Sequence, residues 1–248
     1  MQPERGYVVA KHNDMIQKSR FQLSAQEQKV IQFLISKIKP KDKALHTYRF
    51  SISEFCGICG IDSQSGNNYK NLKDTIQSLA DKSMWVMLEN GKETLVRWIN
   101  KAAIDRQDGV IEIRLDDDLI PYLLQLQNNY TQYALQYILS MDSRYSIRFY
   151  EVLRSLEYKQ RQHIFNIEDL KRLLNAEKYK RYSNFKQRVL DMAVREINEL
   201  SDITVSYVPI REGRKIVEVE FSIQKKDVNE RLQTWENIEN KKNELRKE

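Results

Sequence analysis

The sequence predicts an α+β fold made of two related modules in tandem, and three observations carry that prediction. The first is the stretch 178–200, KYKRYSNFKQRVLDMAVREINEL. Lys178, Lys180, Arg181, Lys186 and Arg188 make its opening cationic with no acid among them, and Tyr179, Tyr182 and Phe185 interleave aromatic rings. Ser183 and Asn184 are N-cap types, whose short side chains accept the free N–H groups of a first helical turn. Behind them Val189, Leu190, Ala193, Val194, Ile197 and Leu200 recur at three- and four-residue steps, which lays one apolar stripe along a helix. The second observation lies just past that helix. Segments 203–208 and 215–223 alternate polar and apolar residues, rich in β-branched types, around a turn at 211–214 that contains Gly213, the pattern of a hairpin. A helix with a cationic, exposed N-terminal end can enter the DNA major groove, and a hairpin after it is the wing of a winged helix. The third observation is recurrence: strand, short helix, loop, long helix and hairpin occur over 46–99 and again over 163–223. The expected fold is therefore two tandem winged-helix domains, a helix-turn-helix plus a β-hairpin wing in each.

Taken in order, residues 1–20 are a polar arm with a short strand at 7–10. Ser24-Ala25-Gln26-Glu27 is a capping box that opens a helix, with Val30, Ile31, Phe33, Leu34, Ile35 and Ile38 on its apolar face and Pro40 just past its end. Residues 46–52 alternate as a strand. Ser53 is expected to cap a short helix over 54–59, stopped by Gly60, and 62–68 is loop. A second helix covers about 68–82, with Leu72, Ile76 and Leu79 inward and Lys70 and Lys73 outward. A hairpin comes next, 84–88 and 94–99, around Asn90-Gly91, a strong turn signal. Its residues Val86, Val96 and Trp98 are expected on an apolar face that is either covered by residues 116–135 or exposed as a candidate self-association surface, because apolar patches and strand edges invite partners. Residues 110–115 form another strand. Asp116 and Asp117 begin a helix over about 119–127, with Pro121 tolerated in its first turn. A link near 128–136 separates the modules. The second then runs helix 143–159, strand 163–165, an Asn166-capped helix 167–174, the 178–200 helix and its hairpin. The charged segment 225–248 places Val228, Leu232, Trp235, Ile238 and Leu245 at helical spacing, a tail helix.

Composition bounds the function. The chain has 248 residues, 41% hydrophobic and 31% charged, with a net charge of +6, a soluble globular balance that modestly favours a polyanionic partner. No apolar run approaches the ~20 residues that span a bilayer, and the N-terminus lacks the apolar core of a secretory signal, so a cytoplasmic protein without a membrane partner is expected. Cys56 and Cys59 form Cys-Gly-Ile-Cys, half a metal site or a redox pair in form, but His12, His46 and His163 are isolated. Both cysteines read best as reduced packing residues. No metal and no cofactor are expected.

Several stretches resemble the replication initiators of iteron-containing bacterial plasmids: 9–16 (VAKHNDMI), 21–28 (FQLSAQEQ), 146–153 (SIRFYEVL), 182–186 (YSNFK) and 189–198 (VLDMAVREIN). Together, in order and at fitting separations, they span nearly the whole chain. The resemblance implies two winged-helix domains that bind directly repeated origin sequences, open the origin and help to recruit the host replication initiator and helicase. It implies too a switch between origin-binding monomers and dimers that act as repressors, the dimers forming through the first domain. Carried onto this sequence, the main DNA-reading positions are Lys180, Arg181, Tyr182, Ser183, Asn184, Lys186, Gln187 and Arg188. Arg and Lys suit guanine, Asn and Gln suit adenine. Tyr182 and Phe185 also fit core positions, Phe185 the more so. Asn67, Asn68, Lys70, Asn71 and Lys73 are offered by the first-module helix, and Arg211, Arg214 and Lys215 at the wing would lie beside phosphates. The expected division is 1–135 for the first winged-helix domain, with backbone and partial base contacts and self-association, 136–226 for the main recognition domain, and 227–248 for the tail.

Two other classes compete. A nicking enzyme would need a Tyr nucleophile and clustered histidines. Asp116-Asp117-Asp118 could hold Mg²⁺, yet an acidic run also suits a helix N-terminus, and no Gly-rich phosphate loop is present. A non-enzyme is expected. A two-domain winged-helix transcriptional regulator without initiator activity would share every DNA-reading part.

Overall fold

The computed structural model describes residues 7–59, 68–88 and 90–245. The chain divides into two compact units, 1–139 and 140–248, and each has the winged-helix order of elements.

The first unit begins with β1 (Val8–His12), α1 (Asn13–Gln17), β2 (Ser19–Arg20) and α2 (Ala25–Ser36), then β3 (Thr47–Ser51), α3 (Ile52–Cys59) and α4 (Asn68–Ala80). After them come β4 (Ser83–Met87), β5 (Glu93–Arg97), β6 (Ile99–Asp105) and β7 (Val110–Leu115), and then a 3₁₀ turn (Asp117–Leu119), α5 (Ile120–Leu123), β8 (Tyr130–Ala134) and α6 (Leu135–Ser140). Its strands make three small sheets, β1-β8, β2-β4-β5 and β3-β7-β6.

The capping box at Ser24 is present in full. Ser24 Oγ accepts from the Glu27 amide at 3.2 Å, and Glu27 Oε2 accepts from the Ser24 amide at 2.7 Å. Glu27 also reaches the far end of α4, where Ser78 Oγ donates to it at 2.7 Å and Lys82 Nζ lies 2.6 and 2.7 Å from its two oxygens. Burial pushes this carboxyl up, but the bonds from Lys82, Ser24 and Ser78 outweigh burial and hold it below the usual range. A depressed carboxylate stabilises the fold above its unfolded pKa, and that contribution disappears as pH falls through the folded value. Glu27→Gln is therefore expected to cost about 1–3 kcal/mol near neutral pH. The gap to wild type should close below about pH 4, which thermal melts at the two pH values would measure. An equal gap at both would mean that the ion pair contributes nothing.

Several expectations need correction here. The cap of α3 is Ser51, not Ser53: its Oγ accepts from the Glu54 amide at 3.0 Å, because β3 runs straight into the helix. The hairpin over 84–99 is only part of a longer excursion. Strand β6 pairs with β7, and β3 pairs with β7, so the hairpin that closes onto the first strand of the module is β6–β7, while β4–β5 pairs with β2. Alternation breaks at Trp98, where two inward residues, Trp98 and Ile99, stand together, and one period-2 pattern therefore hides two strands. At the β4–β5 turn a Leu88–Lys92 backbone bond closes the loop over Gly91, whose φ of +77° demands glycine. The expected helix after Asp116 shrinks to a 3₁₀ turn capped by Asp116 and the four residues of α5. The chain then leaves through Gln125 and Asn129, both in left-handed conformation. The expected link near 128–136 is instead β8, paired in register with β1 from Val8–Ala134 to His12–Tyr130, followed by the start of α6.

The second unit holds α7 (Arg144–Leu156), β9 (Gln162–Asn166), α8 (Ile167–Leu173), α9 (Tyr182–Phe185), a π turn (Lys186–Leu190), α10 (Asp191–Leu200), β10 (Ile203–Glu212), β11 (Lys215–Lys225) and α11 (Val228–Leu245). Ser143 caps α7 and Asn166 caps α8 through their side chains. Strand order is β10-β11-β9. Phe221 centres the core, with Phe149, Phe165 and Tyr207 rings at 4.9, 5.8 and 5.6 Å. The tail helix α11 packs on α10 through buried Thr234 and Ile238. Lys226 Nζ donates to Asn198 O and to Thr234 Oγ1, and Lys241 Nζ binds Ser140 O and Asp142, both at 2.7 Å. Val228 and Leu232 stay exposed.

Candidate nucleic-acid interface

Phe185, Val189, Ala193 and Ile197 step by four. In an uninterrupted α-helix each such step drifts about 40° around the axis, so Phe185 and Ile197 would point about 120° apart. The π turn between α9 and α10 carries one extra residue per turn and takes out this drift. All four side chains are fully buried as a result. The opposite side of the same segment is thereby turned outward: Lys180, Arg181, Ser183, Asn184, Lys186, Gln187 and Arg188 are all exposed. The core position of Phe185 agrees with the preferred expectation. The capping expectation does not hold: α9 opens at Tyr182, with Arg181 at the N-cap and no side-chain cap bond. Ser183 and Asn184 sit in the first turn, and both are exposed.

Tyr182 is half-buried, and its hydroxyl is enclosed without a hydrogen-bond partner. Burial pushes its pKa up, against the pull of Lys186 and Arg211. Lys186 Nζ pairs with both carboxylate oxygens of Asp191 at 2.9 and 2.8 Å, and Tyr207 Oη donates to Asp191 Oδ1 at 2.6 Å. In the sequence Tyr207 is one residue of an alternating strand, and nothing in that pattern signals its bond to Asp191 at the start of α10. At the hairpin tip Arg211, Arg214 and Lys215 are exposed around Gly213, whose φ of +59° closes the turn. A register shift at Ile210/Arg211 precedes it. One structural unit thus carries both the 180–188 surface and the wing cations, and Arg211 acts on the Tyr182 phenol.

In the first unit Lys70, Asn71 and Lys73 lie on the exposed face of α4. Asn67 lies outside the described residues, and of Asn68 only the backbone is described, at the start of α4. The apolar surface of the β4–β5 hairpin is the reverse of the expected one. Val86, Val96 and Trp98 are core, at 0%, 2% and 1% exposure, and Phe21 packs edge-on against Trp98 at 5.2 Å. The outward set is Trp85, Met87 and Leu95, with Trp85 paired to Leu95 across the strands and to Arg20 on β2. Strand alternation establishes that the two sets face opposite ways, but not which one finds a core.

Among the described residues, no group of three or more His, Cys, Asp or Glu side chains is placed to hold a metal ion, and no helix is long and apolar enough to cross a membrane. Cys56 is buried, which pushes its thiol pKa up, and the side chain of Cys59 lies outside the described residues. The Asp116–Asp118 run does helix-terminal work, with Asp116 capping and Asp117 held by Arg114 at 2.8 Å.

A family model for "Initiator Replication protein, WH1" matches residues 8–154, and one for "Initiator Rep protein, WH2" matches 166–223. A curated "Replication initiation protein" of Escherichia coli is 25% identical over 207 residues. The match covers 79% of this chain, which spans 63% of that protein's length. The solved structure described as "Crystal structure of Pi initiator protein in complex with iteron DNA" shares the fold over 90% of this chain and 99% of its own, at TM-score 0.73 and 19% identity.

Proposed function

Because this chain belongs to the initiator replication protein family, with both of its winged-helix modules matched, we propose that it is a sequence-specific double-stranded DNA-binding protein that initiates plasmid replication. The observation that carries the reading is the outward surface of 180–188, polar and cationic, followed in the same unit by a wing tipped with Arg211, Arg214 and Lys215. The protein binds directly repeated origin sequences (iterons) as a monomer, in the cytoplasm, and acts by binding rather than catalysis. Segment 180–188 reads bases, the wing holds phosphate, and α4 adds contacts through Lys70, Asn71 and Lys73. It promotes origin opening and recruits the host initiator and helicase. A dimer, formed through the outward face of β4–β5 around Trp85, Met87 and Leu95, acts as repressor.

Incubation with supercoiled origin plasmid tests this. Permanganate-reactive A·T DNA beside the repeats is the expected result. Binding without melting would support a plain regulator, and a covalently nicked strand would make the protein an enzyme.

Reading and anchoring should separate on mutation. Arg181→Ala or Asn184→Ala should lose discrimination at particular base positions by about 1–3 kcal/mol. Lys215→Ala should weaken binding to all duplexes alike. A competition series over single-base variants of a repeat decides it. A Lys215 effect confined to one base, with Asn184→Ala neutral, would reverse the two roles.

A further inference from the structure

Lys186 and Asp191 are five residues apart, a spacing at which α-helical side chains do not meet. They meet here because of the π turn. The Asp191 amide donates to Lys186 O, and the Lys186 ammonium returns to the Asp191 carboxylate at 2.8–2.9 Å. One pair of residues therefore closes the turn twice, through backbone and through side chains. Tyr207, on the wing strand β10, donates to the same carboxylate at 2.6 Å and keeps its ring 5.6 Å from Phe221. Asp191 is also the one acid between Glu177 and Glu196. On a surface that approaches phosphates, a negative charge weakens binding unless it does something else.

We propose that Asp191 is a positioning residue for DNA reading: by holding Lys186 and Tyr207 together it fixes the π turn, and with it the aim of residues 181–188 relative to α10 and the wing. The inference rests on the reading of this surface as the DNA-binding face. The turn matters because its extra residue is a rotation. Relaxing it to α geometry would swing the preceding segment by about 100° per residue shifted and pull against the burial of Phe185. The carboxylate is well suited to the task. Burial pushes its pKa up, yet the bonds from Lys186 and Tyr207 prevail and keep it ionised. Burial and the bond to Asp191 push the Tyr207 phenol up, so it keeps its proton. Neither partner changes state near neutral pH. Lys186, partly neutralised by Asp191, is correspondingly less available as a phosphate anchor than Lys180 or Arg188.

The test uses full-length Asp191→Ala and Tyr207→Phe. The probes are a duplex selected from a random pool by the wild-type protein and a scrambled duplex of the same composition. The expected result is a selected-to-scrambled affinity ratio lowered about tenfold by Asp191→Ala, the size of one good base contact, and several-fold by Tyr207→Phe. Scrambled-duplex binding should hold or tighten. In the DNA-free variants hydrogen exchange at the backbone amide of position 191 should accelerate while β11 stays protected. Equal tightening on both duplexes would make Asp191 a mere repulsive charge and overturn the proposal, as would an unchanged ratio. Tyr207→Phe, which removes one hydroxyl and keeps the ring, decides the matter if Asp191→Ala fails to fold. A wild-type protein that enriches no sequence from the pool would overturn the functional reading, and this proposal with it.

Discussion

Val96→Glu is expected to unfold the first unit. Val96 sits on β5 opposite Met84, and both side chains are buried. A carboxylate there is taken out of water, and burying it unpaired costs several kcal/mol or forces it to take up a proton. At roughly 2–4 °C of melting temperature per kcal/mol for a chain of this size, the first-unit transition should fall by about 10 °C or vanish. Leu95→Glu is the informative contrast. Leu95 is 51% exposed on the reverse face, beside Trp85 at 48%. The carboxylate stays hydrated there, so the melt should be near wild type while self-association weakens. Circular dichroism with sedimentation on both variants measures this. A Val96→Glu protein with a wild-type melt would mean that β5 is turned the other way. A Leu95→Glu protein that is folded and still dimeric would remove this face from the dimer.

Affinity for duplex DNA should collapse with salt. Each phosphate neutralised releases counterions, so log affinity falls against log salt with a slope near −0.9 per contact, and six to ten contacts lose about 10³–10⁵ between 50 and 200 mM. The exposed cations at 180–188, at the wing tip and on α4 are enough for that range. Lys186 is the exception, since its ammonium already lies against Asp191. A titration across this range measures the slope. A slope shallower than about −2 would mean that these cations are only a solvated surface. Lys215→Ala should reduce the slope by about one.

Much of this was legible in order and type. The capping box at Ser24, the Asn166 cap and the long helices rest on contacts within a few residues, and the strand 110–115 and the wing hairpin announce themselves by alternation and a nearby turn. The exposed members of 180–188 were legible too, because a helix that buries Val189, Ala193 and Ile197 must turn its other side out. The features that stayed hidden depend on partners far away in sequence. β8 has little pattern of its own and is a strand because β1, more than 110 residues earlier, offers it an edge. The split of the β4–β7 region into two sheets, with β3 joining β7, is a choice among strand partners that each would satisfy the same hydrogen bonds. Alternation is symmetric between the faces of β5, and packing against distant residues, such as Phe21 on the neighbouring Trp98, accompanies the face that is core. The π turn is the clearest case. Four-residue spacing from Phe185 to Ile197 is compatible with a drifting α-helix, and only a core that demands both ends makes the chain insert the extra residue. The sequence by itself determined the local elements, the two-module order and the cationic surface, because these arise from propensity, capping and periodicity. Tertiary structure alone decided strand partnership, the buried face of the hairpin and the aim of segment 180–188, because each is a choice between locally equivalent states made by packing against distant residues.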